Sequence, residues 1–84
     1  MKVYMLSKTI VKKLYDDEDI YSDSIGVFTL YELAKQVITN TGLTRDNADV
    51  YKVTDNVTCI GTESEHLDVT YHIETIELDK VISE

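Results

Sequence analysis

The chain is 84 residues long (9.6 kDa) and carries 8 basic against 16 acidic side chains, a formal charge of -8 and a pI near 4.5. With one cysteine and neither proline nor tryptophan, this composition excludes a multidomain enzyme, a disulfide-stapled scaffold, a collagen-like chain and a basic DNA-binding domain. It fits one domain, residues 1–84, whose core is small enough that homodimerisation is a natural way to add burial.

Val3-Tyr4-Met5-Leu6 is a short apolar run that reads as a strand covered on both faces. Residues 8–15 fit either an extension of that strand or a turn of helix. Asp16-Asp17-Glu18-Asp19 is a solvated acidic turn, and Ile20 to Phe28 a second strand, in which Gly26 marks a bulge or a close neighbour. Thr29-Leu30-Tyr31-Glu32 has the form of a capping box, with Phe28 and Leu33 placed for a hydrophobic staple. Leu30, Leu33, Ala34, Val37 and Ile38 then recur as one apolar stripe. The spacing predicts a helix over 30–41, closed by Gly42.

Thr44 to Asn47 is a polar connector with room for one helical turn. Val50 to Thr54 reads as a third strand, Asp55-Asn56 as a turn, Val57 to Ile60 as a fourth strand, and Gly61 to Glu65 as another polar turn. From Leu67 to Glu74 apolar and polar residues alternate, the period of a half-buried strand. Ile76 and Leu78 fall in the opposite phase, which a bulge near Glu74-Thr75 explains. Val81 and Ile82 read as a frayed tail or a dimer contact. The order strand, strand, helix, strand, strand, strand describes an α+β domain. It is an antiparallel sheet of four to five strands with one amphipathic helix on one face, the other face left to solvent or a partner.

Three segments carry a resemblance: Lys2-Val3-Tyr4-Met5-Leu6-Ser7; Ile25-Gly26-Val27-Phe28-Thr29 leading into Glu32-Leu33-Ala34; and Ile73-Glu74-Thr75-Ile76-Glu77-Leu78-Asp79. Across about half the chain these resemble a loose group of small phage and prophage accessory proteins. The resemblance implies an origin, a phage protein acting in a bacterial cytoplasm, and transfers no catalytic residue. In size and acidity the chain is similar to inhibitors of host defence nucleases, among them anti-CRISPR proteins.

No catalytic, metal or cofactor site is expected. His66 and His72, placed on one strand, are roughly 20 Å apart at about 3.3 Å per residue, too far for one zinc ion. Asp17-x-Asp19 has the opening of a calcium loop, but Tyr21 and Ser22 follow where a ligand and a glycine are needed. Cys59 sits between Thr58 and Ile60 without a nucleophile signature and reads as a small core residue. Gly26, Gly42 and Gly61 are isolated, so no phosphate cradle forms.

Charge then points to binding. Residues 1–42 hold 5 basic and 6 acidic side chains, residues 43–84 hold 3 and 10. Such a chain repels nucleic acid directly and favours a basic protein partner. Tyr15 and Tyr21 bracket Asp16, Asp17, Glu18, Asp19 and Asp23, and carboxylates beside aromatic rings suit Arg- and Lys-rich partners. The same run also reads as a solvated turn that discourages edge pairing. Asp68 and Glu74 share the polar face of the last strand with His72, in the manner of a DNA mimic or of any solvent-facing strand. The expected function is a non-enzymatic inhibitor of a basic host nuclease or other nucleic-acid-handling protein. The alternatives are a sponge for a nucleotide signal, which needs Lys8, Lys12 and Lys13 to form a basic pocket, and a self-associating module. A lone cysteine, with no signal peptide and no apolar run approaching the ~18 residues of a membrane span, fits the cytoplasm.

Overall fold

The computed structural model describes residues 1–78; Val81 and Ile82 lie outside them. Five strands, β1 (Lys2–Lys13), β2 (Glu18–Phe28), β3 (Val50–Val53), β4 (Val57–Glu63) and β5 (Leu67–Glu77), form one antiparallel sheet in the order β2-β1-β5-β4-β3. A helix, α1 (Tyr31–Thr39), connects β2 to β3 and lies on one face. This is the α+β arrangement expected. Residues 8–15 resolve in favour of strand as far as Lys13, where Thr9, Ile10 and Val11 supply the β-branched side chains that pack well on a pleated surface.

On the helix side, Leu6 of β1, Ile60 of β4 and Tyr71 and Ile73 of β5 meet Ala34 and Ile38 of α1 and Leu43 beyond it. Leu6 is fully buried. A nine-residue helix is about 13 Å long, whereas β1 runs for about 40 Å. Coverage therefore stops partway, and β2 is exposed from Glu18 through Ile25.

Several local expectations are corrected. Thr29 does not cap the helix: the N-cap is Leu30, in extended conformation and without a side-chain hydrogen bond. With the helix beginning at Tyr31, that ring turns inward and packs edge-on against Tyr4, centroids 5.8 Å apart. The inward-facing stripe becomes Tyr31, Ala34 and Ile38, at i, i+3 and i+7, with Ala34 and Ile38 buried and Tyr31 half-buried. Leu30 and Leu33 are left 59% and 43% exposed, so no buried staple holds Leu33. The helix ends two residues early, with Asn40 as its C-cap and Gly42 at φ 91° two positions on, the left-handed conformation that favours glycine.

No bulge interrupts β5, which pairs with β1 without a break from Lys2 opposite Glu77 to Lys12 opposite Leu67. Ile76 simply faces away from the helix, across from Val3. The irregularity lies in β2 instead: Leu6 pairs with Gly26 and Ser7 with Ser24, leaving Ile25 as the extra residue beside Gly26. Gly61 is not in a turn. It is buried within β4, where a Cβ would collide with the Val69 carbonyl and stand 2.8 Å from the Thr70 Cα. The turn follows at Ser64, whose N–H and hydroxyl both donate to the Leu67 carbonyl.

Candidate functional site

The β1–β2 hairpin is closed by a two-residue loop, Tyr15-Asp16, between Leu14 and Asp17: the Leu14 N–H donates to the Asp17 carbonyl at 2.7 Å. Tyr15 is 98% exposed at its tip. The Asp17 carboxylate accepts from the Glu18 N–H at 2.9 Å and so fixes the entry into β2. Only Asp16 and Asp17 of the acidic run lie in the turn; Glu18 and Asp19 are already in the strand.

Register decides what the strand acids face. Lys8 lies opposite Asp23, Lys12 opposite Asp19 and Lys13 opposite Glu18. Opposite charges facing each other across a ladder favour this register, although none of the three pairs closes to an ion pair among the described residues. The Lys12 ammonium also stands 5.5 Å from the Tyr21 ring centroid, and that of Lys8 5.6 Å from Tyr71. Lys8 and Lys12 project from the helix side, Lys13 from the other, where it pairs with Asp68 at 3.0 Å. The three lysines therefore form no common basic pocket. Between positions 12 and 23 two lysines stand against five carboxylates, so a net negative charge remains, concentrated at the tip.

The nine residues expected to bind a partner separate into three places. Tyr15, Asp16, Asp17, Glu18, Asp19, Tyr21 and Asp23 come together on the hairpin. Asp68 sits near its base on the open face, engaged by Lys13. Glu74 shares that face but lies six residues away along β5, opposite Met5 and Val57. Thr70 and His72 stand between them, so the two acids do not form a row of carboxylates.

Two features of the open face are invisible to sequence spacing. Cys59 and His72 are direct cross-strand partners, with Sγ 3.4 Å from Nδ1. Burial pushes the thiol pKa up, and the ammonium of Lys52, opposite Cys59 on β3, pulls it partly back. A thiol kept protonated is a weak nucleophile. His66, in contrast, lies in the turn before β5, exposed beside Glu65 rather than on the strand with His72. The second feature is the texture of the middle of the face: Gly61, Thr70, Thr9 and Ser22 form one row across four strands, and Cys59, His72, Ser7 and Ser24 the next. Apart from His72 these side chains are small, and most of them carry hydroxyls. No helix among the described residues is long and apolar enough to cross a membrane. A comparison with protein-family models, curated proteins and solved structures finds no match.

Proposed function

We propose that the chain works by binding rather than by catalysis, engaging a basic protein partner through the β1–β2 hairpin. The supporting observation is that β2 is a long edge strand, exposed from Glu18 through Ile25, whose outer side meets no other strand among the described residues. An unpaired edge accepts an extended segment by strand addition. Its charge selects the segment: Asp16, Asp17, Glu18, Asp19 and Asp23 favour Lys and Arg, and the exposed Tyr15 ring, with the side of the Tyr21 ring that Lys12 does not cover, offers a face on which a guanidinium stacks. The same charge disfavours a second copy of the chain, because symmetric antiparallel pairing centred on Tyr21 sets Asp19 against Asp23. The resemblance to phage accessory proteins suggests the class of partner, a nucleic-acid-handling protein of a bacterial host with a basic site to be blocked.

The test is affinity capture from bacterial lysate at low and high salt, using the natural chain and the triple reversal Asp17→Lys, Glu18→Lys, Asp19→Lys. The expected result is a basic protein held at low salt, released at high salt and lost with the triple reversal. Capture that is indifferent to salt and to the reversal removes the hairpin from the mechanism.

A further inference from the structure

Away from the hairpin, α1 and the loop after it overhang β3 and β4 and enclose a cleft of about 410 Å³, inside the ~300–1,000 Å³ range of small-molecule sites. Its floor is apolar, made by Ile38, Leu43, Ile60 and Ile73. Tyr31 and Tyr51 supply aromatic walls, and Thr58, hydrogen-bonded to the Tyr31 hydroxyl at 3.1 Å, adds a polar spot at depth. Lys35 and Arg45 also line it, with a single carboxylate, Asp46. On a chain of net charge -8, two cations against one acid give this cleft a net positive lining.

The cations are available. Neither Lys35 nor Arg45 forms an ion pair with a described residue. Arg45 is placed instead by its ring neighbour, the guanidinium carbon standing 5.0 Å from the Tyr51 centroid. A cation–π contact of this kind uses no N–H donor, so the guanidinium can still donate to an anion. The loop carrying it is set by Asn47, whose side-chain amide donates to the Gly42 carbonyl at 2.9 Å and whose oxygen accepts from the Thr44 N–H at 2.8 Å.

We infer that this cleft binds a small planar aromatic anion, a ring lying on the aliphatic floor between the two tyrosines with a phosphate or carboxylate group held by Lys35 and Arg45. The inference is independent of the hairpin reading, since it concerns the other end of the helix-side face. Nucleoside monophosphates and aromatic acids share this chemistry.

Amide chemical shifts of the ¹⁵N-labelled full chain are followed during titration with adenosine monophosphate, 1-naphthoate, adenosine and inorganic phosphate. Either aromatic anion is expected to shift residues of α1, the 43–46 loop, β3 and β4, and which of the two binds identifies the source. Adenosine and phosphate, each lacking half of the recognition, bind more weakly. Lys35→Glu and Arg45→Glu, both on exposed side chains and therefore compatible with folding, weaken the anion about tenfold or more, the loss of one charge-assisted hydrogen bond. Adenosine binding as tightly as its monophosphate overturns the inference. So do shifts that fall outside the cleft, an affinity unmoved by both reversals, or the absence of any shift at millimolar ligand.

Discussion

The Tyr31 hydroxyl donates to Thr58 Oγ1 at 3.1 Å, joining the first turn of α1 to the beginning of β4. Thr58 is buried and Tyr31 half-buried, so the bond is part-buried on the wall of the cleft. Tyr31→Phe keeps the ring against Tyr4 and removes only the hydroxyl. It is expected to cost about 1 kcal/mol in urea denaturation, the worth of a part-buried hydrogen bond. Tyr31→Ala also loses the aromatic packing and is expected to cost about 3 kcal/mol or more.

Glycine positions separate sharply. Gly61→Ala drives a methyl group into the backbone of β5, which has no flexible side chain to yield, and is expected to cost at least about 2 kcal/mol. At Gly26 a Cβ meets only the edge of the Phe28 ring at 3.5 Å. Gly26→Ala is therefore expected to stay within about 0.5 kcal/mol of the natural chain. Parallel thermal melts of the two variants check the contrast.

Cys59 reports on the open face. Its raised pKa leaves little thiolate at neutral pH, so alkylation by iodoacetamide is expected to be slow in the folded chain and faster in urea. Lys52→Ala removes the charge that pulls the pKa down, so the reaction at fixed pH slows further. The linkage has a definite sign. With the folded pKa above the unfolded one, the folded state holds the proton more tightly. The contribution to stability is full below the unfolded thiol pKa and is lost as pH rises through the folded value. A pH series of denaturation curves for the natural chain and Cys59→Ala measures it.

Asn47 ties the loop beside the cleft to Gly42 and to Thr44. Asn47→Ala frees both ties at an exposed position, where the expected loss of stability is about 1 kcal/mol. The diagnostic readout is local: hydrogen exchange accelerates at residues 43–47 while the strands keep their protection.

The period of the apolar residues makes the elements legible, because alternation in β5 and the 3.6-residue stripe in α1 are local properties of the chain. Phase at an element's end is less legible. Thr29 to Glu32 has capping chemistry, yet the helix starts one residue later, because burying the Tyr31 ring against Tyr4 outweighs a solvent-exposed cap. The acidic hairpin is visible as composition, but its lysine partners depend on register, and register depends on pairing across the turn. The Cys59–His72 contact and the cleft were not legible for a stronger reason. Each joins residues whose neighbourhood is created by the sheet order, and nothing in local spacing places β5 between β1 and β4.

That order has a kinetic consequence. The central ladder sets Lys2 against Glu77 and Lys12 against Leu67, so its two strands come from distant parts of the chain while the hairpins on either side close locally. Loop-closure entropy is spent before the central pairing returns any energy, which places the domain among the slower small folds, in the millisecond-to-second range. During synthesis, Leu6 has no strand to pair with on its β5 side until Ile73 has left the ribosome. For that interval the β1–β2 hairpin stands with both of its edges unpaired, and the lysines and carboxylates along it disfavour pairing between nascent copies.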